Sequence, residues 1–268
     1  MEIPSERVKY FRCEALRWRS GPRCLHTDAH ANNLIDSAPD AQKVSPMPEI
    51  MINGPAGRLE ARYHHEGRSE NPIALILHPH PQFGGTMNNQ IVYHLYYTFT
   101  ERGFSVLRFN FRGVGRSQGY FDNGPGELAD AASALDWLQL QNVDSRSCWI
   151  AGVSFGTWIA MQLLMRRPEI DGFVCVAPPA NLYDYSFLAP CPSSGILISG
   201  ERDKVVPPAA VEEMSRKTKT QKGIKIEHTI VSGAGHFFED KNEELKKIVG
   251  EYVDHRMVEI EKAKREAE

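Results

Sequence analysis

From about residue 47 to residue 260, apolar and polar positions alternate between two kinds of segment. Unbroken apolar runs occur at Ile73–Leu77, Val106–Phe109, Trp149–Val153, Phe173–Val176 and Ile196–Ser199, with a further strand-like run at Ile224–Val231. Runs without polar alternation predict strands covered on both faces. Between them lie segments of helical period. Ile91, Leu95 and Phe99 share one face, as do Leu128, Ala131, Leu135 and Leu138. Thr157–Leu164 is apolar nearly all round, as a helix packed on both sides should be. Leu245, Ile248, Val249, Tyr252, Val253 and Met257 give a last helix its buried stripe. Glu49–Ile52 and Leu59–Tyr63, flanking Asn53-Gly54-Pro55-Ala56-Gly57, predict an opening β-hairpin. Strands alternating with helices predict an α/β fold, a mostly parallel sheet with helices on both faces. Ligands in such folds bind beyond the carboxyl ends of the strands.

Residues 1–46 break this order. Their apolar residues keep neither period, and six basic residues fall within the first 23. Glu2, Glu6 and Glu14 count against a transit peptide. The segment is expected to be a disordered extension, or to precede a true translation start at Met47. Residues 47–260 form the expected single domain, followed by a charged tail at 261–268.

Composition narrows the function classes. The chain has 268 residues, 41% hydrophobic and 24% charged, enough for one substantial core. A net charge of −3 with both signs interspersed recruits neither nucleic acid nor an anionic membrane. No apolar run approaches the roughly 20 residues of a membrane span. The five cysteines (13, 24, 148, 175, 191) are scattered and lack metal-ligand spacing. A cytoplasmic protein without metal or cofactor is expected, and its oligomeric state is left open.

The candidate chemistry centres on Gly152-Val153-Ser154-Phe155-Gly156, placed between a strand and a helix. A serine hydroxyl becomes a nucleophile when a base takes its proton and a sharp turn presents it. The same pattern recurs at Gly115-Arg116-Ser117-Gln118-Gly119, but there Tyr120 to Gly126 follow as loop, with no helix starting at the serine. Ser154 is therefore the expected nucleophile. Asp203 and His236 follow later strands on glycine-flanked loops, giving the order Ser–Asp–His. Asp203 could instead cap the following helix, which Pro207 is expected to open, and Asp184 is the rival acid. An oxyanion hole needs the Phe155 N–H and a second donor from His78-Pro79-His80-Pro81-Gln82-Phe83. Prolines lack an N–H, leaving His80, Gln82 or Phe83, with His80 the first choice. A metal at His78 and His80 is the weaker reading, with no acidic ligand nearby.

These segments, with Asn110-Phe111-Arg112-Gly113-Val114-Gly115-Arg116-Ser117, Gly200–Asp203 and Gly233–His236, resemble the α/β-hydrolase superfamily. The resemblance is to small cap-less bacterial members related to dienelactone hydrolases and prolyl-peptidase-like esterases. It implies an eight-stranded sheet with the second strand antiparallel, and a Ser154–His236–Asp203 triad. It gives Ser117 a structural role in the loop after the fourth strand. Two departures stand out: Ser replaces the Cys of dienelactone hydrolases, and His-Pro replaces the usual His-Gly after the third strand.

The expected activity is hydrolysis of a small carboxylic ester or thioester through an acyl-enzyme. A peptidase on the same triad and a non-catalytic binding protein on this fold are the alternatives. Only a short stretch separates Val176 from Ile196, too little for a multi-helix lid. The site is expected to be open, walled by Phe83, Tyr120, Phe237 and Tyr183.

Overall fold

The unbroken apolar runs all lie in strands. A computed structural model of the protein describes residues 49–218 and 223–267; the expectations for residues 1–46 lie outside the described residues. The strands are β1 (Glu49–Gly54), β2 (Gly57–His64), β3 (Ile73–Leu77), β4 (Ser105–Phe109), β5 (Cys148–Val153), β6 (Ile170–Val176), β7 (Ser194–Gly200) and β8 (Ile226–Val231). They form one eight-stranded sheet in the order β1-β2-β4-β3-β5-β6-β7-β8. β2 runs antiparallel to both neighbours, and every pairing from β4 through β8 is parallel.

Successive side chains of a strand point to opposite faces, so a strand apolar throughout feeds two cores. Leu75, Leu77, Leu107, Phe109, Ile150, Phe173, Cys175 and Leu197 join one of them. Ala74, Ile76, Val106, Trp149, Ala151, Val174, Ile196 and Ile198 join the other. The first core is closed by α2 (Pro125–Leu140), α3 (Phe155–Leu164) and α4 (Pro208–Thr218); the second by α1 (Gln90–Thr100) and α5 (Asn242–Ala267). Each fully buried large apolar side chain contributes about 1.5–3 kcal/mol, so both faces must be covered for the sheet to persist. This is the α/β-hydrolase architecture.

Three local expectations need correction. The opening hairpin is tighter than expected, because β1 and β2 pair as far as Gly54 and Gly57. The helix after the Asp203 loop opens at Pro208 instead of Pro207. The charged segment after Ile260 continues α5 as far as Ala267, and Lys264 Nζ donates to the Arg146 carbonyl at 2.6 Å. Among the described residues no helix is long and apolar enough to cross a membrane. Cys148, Cys175 and Cys191 are buried free thiols.

The loop after β4 is pinned to α2 by a buried ion pair. Arg112 Nε and Nη2 donate to Asp130 Oδ2 and Oδ1 at 2.9 and 2.8 Å, and the Arg112 backbone N–H adds a third bond at 3.0 Å. Hydrogen bonding to the Asp130 carboxylate holds the guanidinium pKa above its ordinary value, with burial opposing. Removing one partner strands the other charge in the interior. Asp130→Ala should therefore cost about 3–5 kcal/mol of unfolding free energy in urea titration; a loss below about 1 kcal/mol, the scale of an exposed pair, would contradict this role.

Candidate active site

Ser154 is a single residue between β5 and α3, and its backbone lies at φ 49°, ψ −120°. A non-glycine residue there is strained by about 1–3 kcal/mol and persists only where its surroundings enforce it. The flanking glycines are part of that enforcement. A Cβ on Gly152 would stand 2.6 Å from the Gly156 carbonyl oxygen, and one on Gly156 would stand 2.5 Å from that of Leu77. Only hydrogen fits at either place. The Ser154 N–H donates to the Val176 carbonyl at 2.9 Å, tying the turn to β6 as well. Phe155 is the first residue of α3, so its N–H has no intrahelical partner and sits at the positive end of the helix dipole.

The structure brings the three expected residues together. His236 Nε2 lies 3.1 Å from Ser154 Oγ, and His236 Nδ1 lies 2.8 Å from Asp203 Oδ2. All three side chains are buried. Asp203 does not cap α4, since the N–H groups it holds precede the helix. Its Oδ1 accepts from the Val205 and Val206 N–H groups, each at 2.8 Å, shaping the turn before α4, while Oδ2 meets the imidazole. The acid and imidazole loops are also bonded to each other: Arg202 N–H donates to the Ala234 carbonyl at 2.8 Å, and Glu201 accepts from Gly233 N–H at 2.7 Å. Asp184 instead closes on its own loop, accepting from the Ser186 N–H and hydroxyl at 2.8 Å each. Ser117 Oγ donates to the Asn110 carbonyl at 2.6 Å and accepts from Glu60 N–H, so it braces a loop.

The loop after β3 distinguishes its three candidate donors. Gln82 N–H is taken by His80 Nδ1 at 3.2 Å, and Phe83 N–H by the His80 carbonyl at 3.1 Å. His80 N–H has no such commitment among the described residues. His78, on the same loop, donates from Nδ1 to the Pro79 carbonyl at 2.6 Å and accepts at Nε2 from Phe111 N–H at 3.0 Å. Both its nitrogens are occupied, and among the described residues no group of side chains could hold a metal ion.

Aromatic rings surround Phe155. His80, Phe121, Trp158 and Tyr183 lie with centroids 4.8, 5.9, 5.9 and 5.8 Å from it. Of the expected pocket residues, Phe83 packs on His80 at 4.6 Å and Phe237 edges onto His236 at 5.1 Å. Tyr120 does not join them. It is 89% exposed, and its neighbour Phe121 turns inward instead. Sequence reasoning also missed Trp158, whose helical position read as core; it stacks on Tyr183 at 4.6 Å.

Burial depresses the pKa of both loop histidines, His78 to about 3 and His80 to about 4. For His78 the unfolded value of 6.5 lies above the folded one, so the unfolded chain binds the proton first. Its contribution is complete above 6.5 and is lost as pH falls towards 3. The melting temperature should drop on acidification through this window, and His78→Gln should flatten that slope. Parallel slopes in the two proteins by differential scanning fluorimetry would contradict this.

Comparison with known proteins bears on the fold and the family. The model of the family described as X-Pro dipeptidyl-peptidase (S15 family) matches residues 37–252. A solved α/β hydrolase of unknown function from Agrobacterium tumefaciens is 62% identical, with a TM-score of 0.76 over 78% of this chain and 96% of that one. A lidless α/β serine hydrolase from Xanthomonas campestris is 28% identical, with a TM-score of 0.71 over 79% and 95% of the two chains. An uncharacterized protein of Rickettsia prowazekii is 51% identical over 211 residues, 77% of this chain and 89% of that protein. The lysophosphatidylserine lipase of Bos taurus is 26% identical over 179 residues, 59% of this chain but only 44% of the lipase. The chain is a cap-less α/β hydrolase of the serine type and belongs to the X-Pro dipeptidyl-peptidase (S15) family.

Proposed function

We propose that this protein hydrolyses small carboxylic esters or thioesters through an acyl-enzyme on Ser154. The observation that carries the reading is the continuous Ser154–His236–Asp203 chain at 3.1 and 2.8 Å, with the serine on a strained turn at a helix N-terminus. His236 Nε2 takes the serine proton as Oγ attacks the acyl carbon, then delivers it to the departing alkoxide or thiolate. In the second half His236 takes a proton from water, whose oxygen attacks the acyl-enzyme, and returns it to Ser154. Asp203 holds the imidazole with Nδ1 protonated and stabilises its charged form. The oxyanion accepts from the N–H groups of Phe155 and His80, the latter having no partner among the described residues where Gln82 and Phe83 have one. Supporting an ester over a peptide is the short segment between β6 and β7, which adds no further domain to select peptides. The lipase name of a relative points the same way. Peptide cleavage is the second reading, favoured by the name of the matching family model. Xaa-Pro anilides turned over faster than matched esters would establish it. A cytoplasmic setting is proposed with it, on the buried free thiols.

Ser154→Ala should lower kcat/KM for p-nitrophenyl acetate by roughly 10⁴-fold or more, because triad members act as a unit. Ser117→Ala should retain most activity. Asp203→Asn should impair turnover far more than Asp184→Asn. Crippling by Asp184→Asn would move the acid one strand earlier.

Substrate length gives a separate test. A pocket that buries an acyl chain discriminates by roughly 1 kcal/mol or more per methylene, and an open site by little beyond the first carbons. In a p-nitrophenyl ester series, kcat/KM should level off after short acyl chains. A steady rise through long chains would require a deep apolar channel and overturn the open-site reading.

A further inference from the structure

His80 has a polar atom that the reaction outlined above does not use. The residue is 8% exposed, and its ring lies between Phe83, Phe121 and Phe155, with centroids at 4.6, 4.9 and 4.8 Å. Its Nδ1 accepts the Gln82 N–H at 3.2 Å, capping the turn Pro81–Phe83. An imidazole that accepts at Nδ1 and remains neutral must carry its hydrogen on Nε2. Burial keeps it neutral, with a pKa lowered to about 4. No described residue accepts from that Nε2–H, and it is not among the side-chain atoms sealed from solvent without a partner. A donor fixed by the Nδ1 contact therefore sits, not sealed from solvent, on a ring packed within an aromatic cluster. That cluster is built on Phe155, whose N–H adjoins the nucleophile.

A buried, oriented donor selects for a partner. Leaving it unpaired in a complex costs its desolvation, whereas filling it with an acceptor regains a hydrogen bond. The backbone N–H of His80, unlike those of Gln82, Phe83 and Gly85, has no partner among the described residues, so the same residue offers a main-chain donor and a ring donor. We propose that His80 Nε2–H is a specificity determinant that donates to a second acceptor oxygen of the substrate, close to the scissile carbonyl. The favoured substrates are then esters carrying an ether, hydroxyl or carbonyl oxygen a few bonds from the ester, rather than plain alkyl esters. The inference rests on the hydrolase reading above.

Two isosteric pairs test it and locate the acceptor. On the acyl side the pair is p-nitrophenyl methoxyacetate against butyrate; on the alcohol side it is 2-methoxyethyl against n-butyl acetate. Each ratio of kcat/KM is divided by the same ratio for hydroxide-catalysed hydrolysis, which removes intrinsic reactivity. A normalised preference of roughly 10-fold for the oxygen-bearing member is expected in one pair, on the scale of one hydrogen bond. His80→Phe keeps a packed ring but loses the donor, and should bring that preference to about one. His80→Gln, which retains an N–H donor, should recover part of it. A mere loosening of the loop would slow both members of a pair alike and leave the ratio unmoved. Normalised ratios near one for both pairs in the unaltered protein would overturn the proposal, as would a preference that His80→Phe leaves intact. If neither pair is hydrolysed and no fluorophosphonate adduct forms, the failure belongs to the hydrolase reading itself.

Discussion

At Ser154 the chain leaves a fully buried strand and enters a helix within one residue, and a backbone at φ 49° makes that reversal. The conformation is unfavourable for serine by itself, so its neighbours must hold it. Gly152 and Gly156 let β5 and α3 approach to distances no Cβ would permit, and Gly156 brings α3 against the end of β3. The Ser154 N–H is bonded across to β6. The turn is thus anchored to both strands that flank β5, and the two cores on either face of the sheet stabilise those strands. Loosening any of these contacts would free the serine from the imidazole 3.1 Å away.

Polar groups around this turn are used economically. Asp203 shapes its own loop with one oxygen and meets His236 with the other. His78 holds its own loop through Nδ1, on the Pro79 carbonyl, and joins the end of β3 to the loop after β4 through Nε2, which accepts from Phe111 N–H. The His80 carbonyl and Nδ1 take up Phe83 and Gln82 N–H groups. Prolines at 79 and 81 remove two further amides, so the loop offers few free donors. Together these details explain how His-Pro can occupy the place of His-Gly in a cap-less member of the S15 family. The oxyanion hole proposed above takes its second donor from His80 itself.

Much of this was legible in the chain because strong physical signals mark it. Doubly covered strands must be apolar at every position, and Ile73–Leu77 or Trp149–Val153 could hardly be anything else. The two glycine-flanked serines were separable because only Ser154 is followed by a helix-forming run. What could not be read was the direction of loop side chains. After Gly119 no period fixes which residue faces inward, and Phe121 takes the place expected for Tyr120. Trp158 was hidden for a related reason, since an apolar helical residue reads as core until the β6–β7 segment is seen to lie across it. The continuation of α5 was masked by charge: exposed Lys and Glu residues favour helix as readily as they favour a solvated tail.

On the reading proposed above, the turn at residue 154 presents an activated serine. Covalent labelling with a fluorophosphonate, followed by peptide mapping of the intact, folded protein, tests it most directly. The expected result is a single adduct on Ser154, formed rapidly in the unaltered protein and slowed by orders of magnitude in His236→Ala. An adduct on Ser117, or labelling of Ser154 at the same rate without the imidazole, would contradict it.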